Sequence, residues 1–150
     1  MAKVKQKREG TVTKVPASLC WFEVPADDIA RAKTFYGGLF GWTFAKIPTV
    51  IQDYWHIDTA GKDASPDGGL MPRMYPGQGI TNYVAVPSVN RAVAKVEKLG
   101  GSVCKTKTEV PGMGYLAVCE DTEGNTFALW EPMLRTPRKA PRTRSSKGRS

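Results

Sequence analysis

Residues 20–42 read CWFEVPADDIARAKTFYGGLFGW, and residues 83–101 read YVAVPSVNRAVAKVEKLGG. Laid one over the other, they decide the fold. Each begins as an apolar strand ending in Val-Pro, at Val24-Pro25 and at Val86-Pro87. Each then reaches a residue able to cap a helix: Asp27 or Asp28 in the first stretch, Ser88 in the second. A side-chain oxygen there accepts an N–H that the first helical turn leaves unpaired. Apolar residues follow at helical spacing, namely Ile29, Ala32, Phe35, Tyr36, Leu39 and Phe40, and then Val89, Ala92, Val93, Val96 and Leu99. Gly37 and Gly38 weaken the last turn of the first helix, and Gly100 and Gly101 end the second.

Arg31-Ala32 and Arg91-Ala92 fall 60 residues apart, and strand material follows each helix. After the first it is Trp42–Lys46, roughly Val50–Thr59, and Gly69–Met74. After the second it is Ser102–Thr108, Tyr115–Cys119 and Thr126–Glu131. The turns between them are SPDGG, VPGMG and DTEGN. The order βαβββ therefore occurs twice. A duplication of this period implies two units that bury their sheets together, one over residues 15–74 and one over 75–134. The expected fold is α+β: two tandem βαβββ modules forming a half-open barrel or cleft, with the helices outside.

The remaining residues are basic. Segment 1–14 holds five Lys or Arg against Glu9 alone, and segment 135–150 holds seven with no acid. The overall charge of +8 thus belongs to the ends, because residues 15–134 carry 10 basic and 13 acidic side chains. The stretch RTPRKAPRTRSSKGRS (135–150) has almost no apolar content and is expected to be disordered. It could associate weakly with nucleic acid or another polyanion, but no aromatic residue interleaves its charges, so a solvated extension is the favoured reading. No apolar run is long enough to span a membrane, and no apolar core of a secretory signal follows the basic N-terminus. Three cysteines without a CxxC pair (Cys20, Cys104, Cys119) argue against a disulfide framework and suit the cytoplasm. All three sit in apolar runs and read as buried.

The stretches FEVPADDIARAKTFYGGLFGW, GGLMPRM, VAVPSVNRAVAKVEKLGG and DTEGNTFALWEP, in that order and spacing, make the chain resemble the vicinal oxygen chelate superfamily. That superfamily includes glyoxalase I, extradiol dioxygenases and bleomycin-resistance proteins. The resemblance covers roughly residues 16–132, with Thr122 where Pro is usual. It implies a metal inside each cleft, held by His, Gln or Glu on the first and last strand of each module. It also implies that the modules pair within one chain or exchange between the chains of a homodimer. Carried over position by position, the ligand places here are Leu19, Gly69, Thr81 and Ala128. None offers the usual ligand, and His56 is the only histidine. The expectation is a cleft with no metal and no cofactor.

Strand parity then describes that cleft. If Leu19 marks an inward position, Trp21 and Glu23 share its face, as Tyr83 and Ala85 share that of Thr81 and Trp130 that of Ala128. Trp21, Tyr83 and Trp130 with Glu23 nearby make a candidate pocket for a cationic or hydroxyl-bearing small molecule. The alternative is that these rings fill the interior and Glu23 pairs with a surface cation. His56 shares a face with Tyr54 and Asp58; it is a further pocket candidate, with a structural role favoured. Three functions follow. One is metal-free binding of a small organic molecule, of which bleomycin-resistance-like sequestration is one version. Another is a glyoxalase-like lyase or isomerase, or a dioxygenase, whose site is not recognised in the sequence. The last is an interaction protein acting through its basic tail. The residues do not decide between enzyme and binding protein.

Overall fold

The computed structural model describes residues 16–49, 52–61 and 66–134. The basic segments 1–14 and 135–150, with the expected polyanion-binding tail, lie outside the described residues. The first module runs β1 (Ser18–Ala26), α1 (Ile29–Phe40), β2 (Thr43–Ile47), β3 (Tyr54–Asp58) and β4 (Gly68–Pro72). The second runs β5 (Thr81–Ala85), α2 (Val89–Lys98), β6 (Ser102–Val110), β7 (Gly114–Glu120) and β8 (Thr126–Pro132). The βαβββ repeat is present as expected. Among the described residues, no helix is long and apolar enough to cross a membrane.

Both helix starts follow from their caps. Asp28 accepts the Arg31 N–H at 2.9 Å and Ser88 accepts that of Arg91 at 3.2 Å. Gly41, at φ 72°, takes the left-handed conformation that closes α1 and donates its N–H to the Gly37 carbonyl. The helices differ in what they bury. In α2, Val89 and Ala92 are buried and the last turn carries Lys95 and Lys98. In α1 no residue is fully buried. Only the row Ile29, Ala32 and Tyr36 packs on the first core, and Tyr36 stacks on Trp42 with ring centroids 5.3 Å apart. Phe35, Leu39 and Phe40, expected in the inward stripe, flank that row and are exposed.

The strands form one sheet in the order β2-β3-β4-β1-β5-β8-β7-β6. Its outer strands β2 and β6 do not pair with each other, so the barrel is half-open. Within each module the first strand lies parallel to the last, β1 to β4 and β5 to β8. The modules meet in the middle through the antiparallel pair β1–β5, within one chain. Two apolar cores lie between sheet and helices. The first gathers Val24, Ala26, Ile57 and Leu70; the second gathers Val86, Val89, Ala117, Cys119 and Leu129. Because strand side chains alternate, Trp21, Glu23, Tyr54, His56, Leu116 and Val118 stand on the opposite face.

Two expectations need correction. The register pairs Leu19 with Val84 but Trp21 with Tyr83, so the strand gains a bulge at Cys20. Val84 packs against the helix-side core, and Leu19 opposite it leaves the parity of Trp21 and Glu23. Of the cysteines, Cys119 is buried and Cys20 half-buried, whereas Cys104 is exposed. A register shift between Val103 and Lys105 on the outer strand β6 places Cys104 at an irregularity rather than in the core.

Candidate ligand-binding site

At the centre of the helix-free face, β1 and β5 bring Trp21 opposite Tyr83 and Glu23 opposite Thr81. On the other side of β1, β4 places Gly69 beside Glu23, and β3 places His56 beside Gly69. Tyr54 comes from the start of β3, two residues before His56 and on the same face. Its ring leans diagonally across Gly69 to reach β1: an ideal Cβ on Gly69 would fall 1.8 Å from the Tyr54 hydroxyl. Only glycine leaves that path open.

The result is a hydrogen-bonded cluster around one carboxylate. Tyr83 donates its hydroxyl to Glu23 Oε1 at 2.5 Å, and Tyr54 donates to Oε2 at 2.8 Å. The Trp21 indole N–H donates to the Tyr54 oxygen at 2.9 Å. Hydrogen bonds to a charged group are worth about 1.5–3 kcal/mol each when sheltered from water, so the cluster is firmly held. Burial pushes the phenols of Tyr54 and Tyr83 well above their ordinary range, and the Glu23 charge pushes them further. Both therefore remain neutral donors at physiological pH. Glu23 itself stays half-buried, within reach of the cleft.

His56 borders this cluster. Its ring meets that of Trp21 edge-on, with centroids 5.3 Å apart, and its Nε2 lies 2.9 Å from Asp67 Oδ2. Asp67 Oδ1 also accepts the backbone N–H and the hydroxyl of Thr59. These bonds, the Thr59 N–H first, lower the Asp67 pKa below the usual carboxylate value. Trp130 occupies the same face of β8, beside Ala85 and opposite Leu116. Among the described residues, no hydrogen bond or ring contact joins it to the Glu23 cluster. Its ring instead lies over Gly114, where an added Cβ would come within 2.9 Å of Cζ2.

Four of the five sequence candidates, Trp21, Glu23, Tyr83 and His56, thus come together, and Trp130 stands a strand away. Sequence reading missed Tyr54 and Asp67. The signal for Tyr54 was a glycine at an inward position, since an empty position on a sheet face is room for a neighbour. Asp67 lay in a stretch legible only as a turn.

The ligand places implied by the resemblance do not fit a His-, Gln- or Glu-bound divalent ion. Over Gly69 the space is taken by Tyr54, Leu19 has turned off the face, and Ala128 and Thr81 supply neither imidazole nor carboxylate. A hard cation wants about six oxygen ligands. Among the described residues, no group of three or more His, Cys, Asp and Glu gathers to supply them.

Comparison with known proteins agrees with this architecture. The model of the bleomycin resistance protein-like N-terminal family matches residues 19–52. A glyoxylase-like domain-containing protein of Didymella fabae is 32% identical over 115 residues, covering 71% of this chain and 88% of its own. The anthracycline biosynthesis protein DauV of Streptomyces sp. (strain C5) is 30% identical over 138 residues, covering 77% of this chain. The chain spans about half of that relative's length, 47%. Among solved structures, a glyoxalase/bleomycin resistance protein/dioxygenase superfamily member from Vibrio splendidus 12B01 superposes with a TM-score of 0.57 at 13% identity, over 80% of this chain and 100% of that one. The chain belongs to the vicinal oxygen chelate superfamily, the group of glyoxalase, bleomycin-resistance and dioxygenase-like proteins.

Proposed function

We propose that this protein binds a small organic molecule in the cleft over β1 and β5, using Glu23 and the surrounding rings in place of the superfamily's metal centre. The observation that carries this reading is the Glu23 carboxylate held from both sides by Tyr54 and Tyr83. A polar group fixed among aromatic walls is what a small-molecule site requires. Rings serving only as filler would need no half-buried carboxylate in their midst. The name of the anthracycline relative fits an aromatic ligand, and sequestration without turnover is the simplest form of the activity.

The relatives named as glyoxylases favour a second reading, in which Glu23 accepts a proton from a bound substrate. One experiment separates the two. Tryptophan fluorescence is titrated with a panel of small aromatic compounds, and each compound that binds is followed by mass spectrometry for conversion. Saturable quenching with the compound recovered intact is expected, with affinity falling roughly tenfold or more in Trp21→Ala and Glu23→Ala. Turnover lost in Glu23→Gln would establish the enzyme instead. Affinities unchanged in both variants would remove this cleft from consideration.

A further inference from the structure

A count of hydrogen-bonding groups defines what the cleft lacks. Trp21 has one donor, and Tyr54 uses it. Tyr54 and Tyr83 have one proton each, and Glu23 takes both. His56 Nε2 is engaged with Asp67. What stays open around Glu23 is acceptor: the remaining lone pairs of the carboxylate and the free side of the Tyr83 oxygen. Thr81, opposite Glu23, is the one hydroxyl beside them that can serve either way.

The carboxylate also lacks a counter-charge. Lysine and arginine pair with carboxylates at Lys46–Asp53, Arg73–Asp27 and Lys107–Glu131, and no ion pair found among the described residues includes Glu23. A half-buried anion whose only partners are neutral donors is solvated by its dipoles but not neutralised. Around it stand the rings of Trp21, Tyr54 and Tyr83, whose faces attract cations.

The two halves of the face differ in polarity. The first module contributes Glu23, Tyr54 and His56, whereas next to Tyr83 the second contributes Ala85, Leu116, Val118, Ala128 and Trp130, with Lys105, Thr108, Glu120 and Thr126 farther out on the same face. From this arrangement, and resting on the cleft-binding reading above, we infer that the ligand is an organic ammonium ion. Its charged head sits at Glu23 and its apolar body lies across the second module. The ammonium donates to the acceptors left open and supplies the missing charge. A hydroxyl does only the first. A bare divalent ion finds a single carboxylate where it needs a shell of oxygens.

The test is calorimetry on the full chain with a matched pair, 1-naphthylmethylammonium and 1-naphthylmethanol, with 1-naphthoate as the anionic counterpart. Potassium, ammonium and magnesium chlorides are titrated alone. The ammonium compound is expected to bind about tenfold or more tightly than the alcohol, one decade of affinity being about 1.4 kcal/mol. In Glu23→Gln the ammonium compound is expected to lose about tenfold more affinity than the alcohol, so that the preference collapses. Thermal melting reports whether the variant is folded, and the wild-type ratio decides the matter even if it is not. Equal binding of amine and alcohol, or tighter binding of naphthoate, overturns the ammonium assignment and leaves the cleft-binding reading standing. Stoichiometric binding of an inorganic cation alone overturns it in favour of a simple ion site. Binding of none of these compounds removes both readings.

Discussion

Gly69 and Tyr54 occupy one space between them, and only one can have a side chain there. Gly69→Ala would set a methyl group 1.8 Å from the Tyr54 hydroxyl and 2.2 Å from its Cζ. The tyrosine must leave its place, breaking its bonds to Glu23 and Trp21. The expected loss of stability is about 1–3 kcal/mol, the usual cost of overpacking, measured by urea unfolding. Because Cζ and Cε1 clash as well as the hydroxyl, Tyr54→Phe should not relieve it, whereas Tyr54→Ala should make a second substitution at Gly69 nearly free. Additive losses in the double variant would show that the two residues do not share this space. Residues were also where the sequence was least legible. The side to which Glu23 and Trp21 point follows from parity, but the reach of Tyr54 depends on the registers of β3, β4 and β1 together, which no local pattern encodes. The bulge at Cys20 is equally silent: one extra residue in a nine-residue strand moves Leu19 to the other face without changing its composition.

Elements were read more surely, because their ends are chemical. Asp28 and Ser88 cap the helices as their spacing predicts, and Gly41 stops α1. The connection from β3 to β4 shows the limit of such reading. SPDGG signals a turn, but Asp67 within it also ties the end of β3 to the start of β4 by holding His56 and Thr59. This has a consequence for acid stability. The pKa of Asp67 is lower in the folded chain than in the unfolded one, where it keeps its ordinary value near 3.8. Its contribution is therefore complete above that value and is lost as pH falls through the lowered one. Melting temperature should decline over that range, and Asp67→Asn should flatten the decline while lowering stability near neutrality. An unaltered acid limb in the variant would mean that the anchor contributes nothing.

For the whole molecule, the repeat made the architecture readable. Two βαβββ units cannot each cover a four-stranded sheet with one helix and leave the other face to water unless they join, and the seam β1–β5 is where they do so. Sequence does not choose between pairing within one chain and exchange between two, because the same strand edges serve both; the single chain pairs β1 with its own β5. The two helix-side cores are separate clusters, so the seam is what makes the modules one body. A chain limited to residues 75–134 would leave β5 with an open edge. It is expected to lack a cooperative melt near that of the full chain, as followed by circular dichroism; a matching melt would show that each module stands alone.

Trp21 and Tyr83 face each other at the seam, close to where a duplicated structure has its two-fold axis. A perfectly duplicated cleft would be indifferent to direction, and a guest could lie in it either way round. Here one half carries the carboxylate, the tyrosine of β3 and the histidine beside the seam, and the other presents Ala85, Ala128 and Trp130 there. The loss of symmetry after duplication gives the cleft a head and a tail. An elongated guest would enter in one orientation only, and turning it end over end would no longer leave it equivalently placed.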